Sequence, residues 1–276
     1  MILFPNCKIN LGLYITQKRQ DGFHNLQTFF YPVPITDALE TITQENKDAP
    51  FEFTLSGAPI DATSDNICVK AYQLLKKDFP QLPPVKMHLH KAIPVGAGLG
   101  GGSADGAFTL LLLNTKYNLQ LTEEQLLGYA LQLGSDCPFF IKNVPCLATS
   151  RGEILTPQPL DLSPYKLVLV NPGIHIPTGW AFSQLQPKEP TQPLSQIIQQ
   201  PVSTWKETLT NDFEAPIFLH HPSISQIKGD LYAAGAVYAS MSGSGSTVFA
   251  LFEKEAQPAF SFPAHYFVKE CYLSGK

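Results

Sequence analysis

The sequence predicts an α+β fold, and three observations support this class. Apolar residues alternate with other residues over positions 7–15, which is the period-two pattern of a strand. Segment 65–77 carries an apolar stripe at helical spacing, and segment 122–133 begins with a helix-capping signal. Near the C-terminus, apolar segments at 236–241 and 247–252 flank a short Ser/Gly run, which is typical of two strands joined by a turn.

The composition argues against a disordered protein, a nucleic-acid binder and a membrane protein. The chain has 276 residues, enough for one large domain or two modest ones. Charged residues make up only 15%, below the usual ~25%, so a charge-driven disordered protein is excluded. A net charge of −4 does not favour partners such as nucleic acid or an anionic membrane. The longest apolar runs fall short of the ~18 residues of a membrane span, so no membrane partner is predicted.

The cysteines and the N-terminus both indicate a cytoplasmic location. Five cysteines are an odd number, and none forms a CxxC pair, so we expect reduced thiols rather than disulfides or a zinc site. The N-terminal segment has no basic region before its apolar residues and no small-residue cleavage site, unlike a signal peptide.

The predicted first strand puts two polar side chains on one face. Lys8 and Asn10 lie two positions apart, about 7 Å along a strand, and we expect their face to point away from the core. Asp21 and Gly22 mark a turn, so the chain should return as the second strand of a hairpin. Further strands are predicted at 37–43, 51–56 and 85–90.

Helix boundaries and one domain boundary are also predicted. Capping boxes pair Thr122 with Gln125 and Ser223 with Gln226, the second opening a helix to about Ala233. Proline becomes frequent beyond Ser150, which indicates a change of organisation. We therefore predict two domains, 1–155 and 156–276.

The densest glycine segment is the strongest local signal for chemistry. Residues 94–103 read PVGAGLGGGS and lie between a predicted strand and an apolar helical stretch. Glycines let backbone N–H groups approach an anion, and the helix N-terminus favours negative charge, so phosphate is the expected ligand. Neither common nucleotide motif fits, because no acidic residue follows as in dinucleotide folds and Gly102 replaces the P-loop lysine. A simple tight turn is the alternative.

The other candidate residues each have a structural alternative. Asp136 fits the N-cap of a short helix, Lys8 fits an exposed strand face, and His24 fits a surface position beside a turn. The Ser/Gly run at 242–246 is either a linker or a tight turn that faces an anion. The histidines have no further ligands at metal spacing, so no metal site is assigned.

Three segments occur in the order of one known family. They read KINL at 8–11, PVGAGLGGGS at 94–103 and MSGSGS at 241–246. This chain resembles the small-molecule (GHMP) kinases, which include galactokinase, homoserine kinase and mevalonate kinase, and the resemblance extends over residues 4–252. Segments that are similar to a member acting on a cytidyl-bearing alcohol read DGFHNLQT at 21–28, DN at 65–66, GSDCP at 134–138, GEILTP at 152–157 and NPGIHIPT at 171–178.

The resemblance implies a fold and a reaction. The fold would be a two-lobed GHMP kinase. Its N-terminal domain would resemble domain 2 of ribosomal protein S5, its C-terminal domain would be ferredoxin-like, and the substrate cleft would lie between them. The reaction would be ATP-dependent phosphorylation, with Mg²⁺, of the 2-hydroxyl of a methylerythritol linked to cytidine diphosphate, in non-mevalonate isoprenoid synthesis. The partner would be that small molecule alone, with no obligate protein partner.

The resemblance also implies roles for individual residues. Asp136 would be the catalytic base and Lys8 its partner, which would stabilise negative charge on the carboxylate and on the transferred phosphate. ATP would be bound by Pro94, Val95, Gly96, Ala97, Gly98, Leu99, Gly100, Gly101, Gly102, Ser103, Ala104, Asn66 and Lys91. The substrate would be bound by Asn10, Phe23, His24, Thr178 and Phe182. The turn facing the transferred phosphate would comprise Ser242, Gly243, Ser244 and Gly245.

Two departures from the family pattern and two alternative functions remain open. Asp105 follows Ala104 where relatives often carry Ser-Asn, and Phe23 replaces a frequent tyrosine. The first alternative function is another kinase of the family that acts on a different small alcohol. The second is a non-catalytic RNA-binding module of ribosomal type, which the negative net charge disfavours.

Overall fold

The computed structural model describes residues 1–46, 49–58 and 65–273. The strands are β1 (Ile2–Leu3), β2 (Asn6–Lys18), β3 (His24–Thr36), β4 (Ala38–Thr43), β5 (Glu52–Gly57), β6 (Val85–Lys91), β7 (Cys146–Thr149), β8 (Ile154–Pro157), β9 (Tyr165–Asn171), β10 (Tyr238–Met241), β11 (Val248–Glu253) and β12 (Phe267–Tyr272). The helices are α1 (Ile67–Asp78), α2 (Gly101–Tyr117), α3 (Glu123–Leu133), α4 (Cys137–Lys142), α5 (Thr178–Ser183), α6 (Leu194–Ile197), α7 (Trp205–Thr208), α8 (Glu214–His220) and α9 (Pro222–Ala233). A 3₁₀ turn spans Val202–Thr204.

The chain folds into two units whose segments interleave in sequence. Unit 1 comprises Met1–Cys7, Ile35–Val95 and Gly100–Asn143. Unit 2 comprises Lys8–Pro34, Gly96–Leu99 and Val144–Lys276. The predicted domain boundary near residue 155 stays a prediction.

Unit 1 contains a four-stranded sheet in the order β1-β4-β6-β5. The neighbours are antiparallel except β5 and β6, which are parallel and are connected through α1. Burial alternates along β6, with Met87 and Leu89 in the core and His88 and His90 on the opposite face, as period two requires. The predicted Thr122–Gln125 capping box is present at the start of α3, because each side chain accepts from the other residue's backbone N–H.

Unit 2 contains two four-stranded sheets, in the orders β2-β3-β7-β8 and β10-β11-β9-β12. The predicted hairpin is present, since β3 returns beside β2 after the turn at Gly22. The predicted C-terminal strand pair is also present, with Tyr238 opposite Leu251 and Met241 opposite Val248. One core cluster joins inward residues of β9, β10 and β11 to Ile224, Ile227 and Leu231 of α9.

Two sequence predictions are wrong in detail. The face of β2 that carries Lys8 and Asn10 is buried, not exposed. The two side chains pair with each other and lie beside Phe30 and Thr28 of the neighbouring strand, and the Ser242 hydroxyl of the Ser/Gly turn lies 3.5 Å from Asn10 Oδ1. Alternation shows that the two faces of a strand differ, and it does not show what covers the second face. The Ser223 capping box is absent: α9 begins at Pro222, whose fixed φ suits the first helical position.

Among the described residues, no helix is both long enough and apolar enough to cross a lipid bilayer.

Candidate active site

The glycine-rich segment turns sharply at Gly98. The φ angle of Gly98 is +77°, a left-handed conformation that costs other residues about 1–2 kcal/mol. A Cβ at Gly98 would also overlap the backbone carbonyl of Ser242. Glycine is therefore required here by both the conformation and a close backbone approach. Along this segment Ala97 and Leu99 are buried, whereas Val95 and Gly96 are exposed.

Unit 2 brings together three segments that the sequence analysis selected. The Lys8 backbone N–H donates to the Leu99 carbonyl at 2.9 Å. The Asn10 backbone N–H donates to the Ser242 hydroxyl at 3.2 Å, and that hydroxyl donates to the Gly98 carbonyl at 2.8 Å. The start of β2, the glycine segment and the Ser/Gly turn thus form one connected site.

The Ser/Gly turn is held closed by hydrogen bonds. The Ser242 N–H donates to the Thr247 carbonyl at 2.9 Å, and the Thr247 N–H donates to the Ala97 carbonyl at 3.2 Å. Asn171 donates from its side-chain amide to the hydroxyls of Ser246 at 3.2 Å and Thr247 at 3.0 Å. Ser242, Gly243 and Gly245 are buried in this turn, and Ser244 is half-buried. The turn is a built element and not a linker.

Lys8 and Asn10 form a buried polar pair on β2. Lys8 is only 3% exposed, and its Nζ donates to Asn10 Oδ1. Nζ also lies 4.8 Å from the centroid of the Phe30 ring, a cation–π distance. The Asn10 amide donates to Thr28 Oγ1 at 2.9 Å. A cation held under low dielectric interacts strongly with an anion that reaches it.

Asp136 lies in unit 1, at the start of α4. Asp136 occupies the N-cap position, as the capping alternative predicts, but its side chain makes no capping hydrogen bond to that helix. The next residue, Cys137, hydrogen-bonds through its thiol to Ser103, in the first turn of α2. Burial raises the pKa of the Cys137 thiol, so this sulfur is not a thiolate near neutral pH. The residue that follows Asp136 therefore contacts the first turn of α2 directly.

The first turn of α2 contains the remaining predicted phosphate-binding residues. The helix starts at Gly101 after Gly100, whose backbone is left-handed. Gly102 is exposed, Ser103 is half-buried, and Gly101 and Ala104 are buried. The exposed start of a 17-residue helix offers backbone N–H groups and a favourable dipole to an anion.

Lys91 and Asn66, the two other residues predicted near the nucleotide, both interact with side chains or backbone of unit 1. Lys91 is buried and ion-paired with Asp37 and with Asp105, the latter at 2.8 Å. Burial alone would lower the pKa of the Lys91 ammonium, but the two carboxylates outweigh it and raise the pKa. Asn66 caps α1, where its side chain accepts from the Cys68 N–H at 2.9 Å.

Two of the predicted substrate-binding residues stack on each other in unit 2. The rings of His24 and Phe182 are 4.9 Å apart at an interplanar angle of 20°. Burial, followed by the charge of Lys18, lowers the pKa of His24 below 6.5, so its ring is mainly neutral at pH 7. Thr178 is the exposed first residue of the helix that carries Phe182.

Phe23 lies in a different environment from His24. It is 52% exposed, and the guanidinium of Arg151 lies 4.9 Å from its ring centroid. The cation–π attraction between an arginine and an aromatic ring needs only the ring face. The phenylalanine at position 23 therefore keeps this attraction, although the family often has tyrosine here.

Sequence reasoning did not select Asn211, Glu214 or Arg151, although each contacts a predicted site element. Asn211 and Glu214 hydrogen-bond to the residues around Ser242. The local sequence NDFE at 211–214 reads equally well as an ordinary helix start. These contacts are long-range, so no local pattern could have identified them.

The carboxylates of the site do not make a metal cage. The described part of the chain contains no group of three or more His, Cys, Asp or Glu residues that could hold a metal ion. Asp105, one of the two departures from the family pattern, lies 2.8 Å from the Lys91 ammonium. The side chains in this part of the chain thus form no cluster of metal ligands.

Two family models match parts of this chain. The chain matches the family model described as GHMP kinases N terminal domain over residues 66–143, and the model described as GHMP kinases C terminal over residues 194–262.

Curated relatives and a solved structure carry the same name. A 4-diphosphocytidyl-2-C-methyl-D-erythritol kinase of Bacteroides fragilis (strain YCH46) is 54% identical over 92% of this chain and 93% of its own. One from Azobacteroides pseudotrichonymphae genomovar. CFP2 is 49% identical over 97% of this chain and 100% of its own. The crystal structure of a 4-(cytidine 5'-diphospho)-2C-methyl-D-erythritol kinase, 32% identical, covers 92% of this chain and 91% of its own with a TM-score of 0.79.

These matches cover nearly the whole chain, and their sequence identities are high enough to show common family membership as well as a common fold. They confirm the predicted α+β fold class and an ATP-using small-molecule kinase. The chain therefore belongs to the GHMP kinase family, among the 4-diphosphocytidyl-2-C-methyl-D-erythritol kinases.

Proposed function

We propose that this chain transfers the γ-phosphate of ATP to the 2-hydroxyl of 4-diphosphocytidyl-2-C-methyl-D-erythritol, which gives the 2-phosphate and ADP. The substrate is the one that its relatives' names state, and the step belongs to non-mevalonate isoprenoid precursor synthesis. The observation that carries the proposal is the meeting of the Lys8–Asn10 strand, the glycine segment and the Ser/Gly turn in unit 2.

The glycine segment is proposed to bind the ATP phosphates. The last residues of the segment are the first turn of α2, and at the exposed Gly102 nothing lies within 4 Å of the position that a Cβ would take. An anion at this place is stabilised by the backbone N–H donors of that turn and by the helix dipole. The Ser/Gly turn, held against Gly98, would face the phosphoryl group being transferred.

The reaction needs one base and one cation from the protein. We assign the base to Asp136, which would accept the proton of the 2-hydroxyl while that oxygen bonds to the γ-phosphorus. The bond between the γ-phosphorus and the bridging oxygen then breaks and releases ADP. Lys8 would stabilise negative charge on the phosphoryl oxygens. Phosphoryl transfer depends mostly on such positioning and charge stabilisation.

Magnesium is proposed to enter with the nucleotide. Mg²⁺ usually keeps several waters and is bound through substrate phosphates rather than a cage of protein ligands. The lack of a carboxylate cluster among the described residues is compatible with that mode. Bound in this way, Mg²⁺ would neutralise phosphate charge, and no protein residue is assigned to it.

The cytidyl group is proposed to bind at the aromatic pair of His24 and Phe182. A flat base can stack on these rings, and the neutral imidazole has one donor and one acceptor for the base edge. Asn10, Phe23 and Thr178 would contact the rest of the substrate. An alcohol without a nucleobase would leave this aromatic surface unused.

The chemistry requires no macromolecular partner. We propose that the enzyme acts on its small molecules without nucleic acid, membrane or an obligate protein partner. A cytoplasmic location is proposed from the five cysteines, which are in no disulfide and of which four are buried, because thiols persist in reducing compartments.

The experiment measures ADP release by purified protein with ATP and Mg²⁺. The alcohols offered are 4-diphosphocytidyl-2-C-methyl-D-erythritol, mevalonate, homoserine and galactose. Turnover is expected only with the first. Asp136→Asn should lower kcat by about 10²–10⁴, the usual contribution of a general base. Asp230→Asn, which alters a carboxylate paired with Gln226 on α9, is the matched control and should keep wild-type turnover.

Each proposal has its own contrary result. Turnover of another alcohol alone would refute the cytidyl assignment and leave the kinase. Near-wild-type turnover by a folded Asp136→Asn variant would refute the base. Silence with all four alcohols would refute the reaction.

A further inference from the structure

The segment Asn211-Asp212-Phe213-Glu214 contacts three parts of the proposed site through four consecutive side chains. We propose that these four are positioning residues, which fix the Ser/Gly turn, the β2 strand and the aromatic wall for the reaction. The aromatic wall is defined as the stacked pair of His24 and Phe182. The inference rests on the proposed function, since it assigns those three parts to phosphate and to nucleobase.

Asn211 holds both sides of Ser242. Its side-chain amide is buried and donates to the carbonyls of Met241 at 2.7 Å and Gly243 at 2.9 Å. Its Oδ1 accepts from the Phe213 N–H at 3.0 Å. Both N–H donors and the oxygen are used, so the amide has one orientation. A carboxylate at this position would face two carbonyl oxygens and repel them.

Glu214 holds the strand that leads into the turn. Its Oε1 accepts from the Met241 N–H at 2.8 Å and from the Ser240 hydroxyl at 3.0 Å. Its Oε2 accepts from Lys228 at 2.7 Å, which compensates the charge. Buried carboxylates persist where they are paired and hydrogen-bonded in this way. Residues 240–243 are therefore fixed by the side chains of Asn211 and Glu214, both from one short segment.

Asp212 connects the same segment to the strand that carries Lys8 and Asn10. Its Oδ2 accepts from the Ile15 N–H at 2.8 Å. Its own N–H donates to the Leu13 carbonyl at 2.9 Å, and the Leu13 N–H donates to the Thr210 carbonyl at 2.9 Å. Residues 210–212 thus extend the hydrogen bonding of β2 along its far edge.

Phe213 supports the aromatic wall. Its ring meets Phe182 edge to face, with centroids 5.0 Å apart at 88°. Phe182 in turn stacks on His24. Such aromatic pairs contribute stabilisation beyond that of their buried area. Loss of the Phe213 ring should therefore loosen the surface proposed for the nucleobase, without touching the Ser/Gly turn directly.

The segment predicts two separable kinetic defects from adjacent residues. Asn211→Asp should lower kcat by about 10- to 100-fold, since a displacement near 1 Å of a positioning group can cost about 10² in rate. Its KM for the cytidyl substrate should change by less than about threefold. Phe213→Leu should do the reverse, raising that KM about 3- to 10-fold with kcat close to wild type, which corresponds to the aromatic pair energy.

A second pair tests the carboxylate. Glu214→Gln keeps an oxygen that accepts from Met241 and Ser240, whereas Glu214→Ala removes it. We expect kcat to be low in the alanine variant and largely restored in the glutamine variant. Matched controls are Asn46→Asp and Phe4→Leu, both exposed and in unit 1.

The full-length variants are assayed for kcat, KM and unfolding temperature, with the wild type alongside. Wild-type turnover with the expected split between Asn211→Asp and Phe213→Leu supports the inference. If both variants instead show the same fall in kcat and the same rise in KM, in proportion to a lower unfolding temperature, the segment is merely structural and the inference is overturned. No wild-type turnover would instead refute the proposed function. If Glu214→Ala fails to fold, the Asn211 and Phe213 pair still decides.

Discussion

Lys91 and Asp105 form a buried ion pair, with Nζ 2.8 Å from Oδ2 and neither residue more than 3% exposed. Asp37 completes a triad, because its Oδ2 also accepts from Lys91. Its Oδ1 accepts from the N–H groups of Ala92 at 2.6 Å and Ile93 at 2.9 Å. Two carboxyl groups and one ammonium are held together beside the start of α2. The triad therefore ties the chain entering the glycine segment to the helix leaving it.

Stability should depend on pH through Asp105. Burial raises the pKa of this carboxyl from 3.8 to about 7 in the folded chain, despite the attraction of Lys91. Between these values the folded form holds a proton that the unfolded form has lost, so the free energy of unfolding falls as pH rises. Asp105→Asn removes this titration. Urea denaturation should find the variant more stable than wild type at pH 8, with a smaller difference at pH 5.

The control for that prediction is Asp65→Asn, which alters a largely exposed carboxylate. Its stability should follow the wild-type curve at every pH. Parallel curves for wild type and Asp105→Asn would show that Asp105 is already ionised across the range.

Gly98→Ala should unfold or distort the glycine segment. Alanine is strained at a φ of +77°, and its Cβ would overlap the Ser242 carbonyl. We expect a loss of about 2 kcal/mol or more in the free energy of unfolding, together with a raised KM for ATP.

Gly229→Ala is the matched control for Gly98→Ala. Gly229 lies within α9, and a Cβ there meets nothing within 4 Å. This variant should gain up to about 1 kcal/mol, because alanine is the better helix former. Denaturation curves of both variants and ATP kinetics check the pair. Equal effects would mean that the approach of Gly98 to Ser242 imposes no constraint.

Substrate binding should weaken in acid through His24. Burial and the nearby charge of Lys18 lower its pKa, so the neutral ring dominates at pH 7 and above. We expect KM for the cytidyl substrate to stay constant between pH 7 and 8. As the pH falls below the ordinary imidazole pKa of 6.5, protonation of the ring replaces its acceptor nitrogen with a donor, and KM should rise.

The test of His24 is the pH profile of KM in wild type and in His24→Gln. The variant should have a higher KM with a flatter profile. An acid-induced rise of the same size in both proteins would assign the titration to another group.

Much of the fold and the site could be predicted from local sequence. The alternation over 7–15, the turn at Gly22 and the Thr122 capping box are short-range patterns, and each predicted its element. The order of the Lys8, glycine-rich and Ser/Gly segments identified the family. Two of these segments are rich in glycine, which few structures require at such density. Pro222 shows the limit of such signals: it and Ser223 both favour a helix start, and the structure uses the proline.

What the sequence by itself determined is therefore which residues have unusual local requirements: glycines at a close approach, alternating apolar residues in strands, and capping side chains. The tertiary structure alone decided which polar side chains become buried partners. The Lys8 ammonium lies beside Asn10 and the Phe30 ring, and that of Lys91 lies between two carboxyl groups. Asn211 donates to the carbonyl of Met241, which is 30 residues later in the chain. Hydrogen bonds and ion pairs of this kind join residues that are distant in the chain. Their geometry exists only once the sheets and helices have packed.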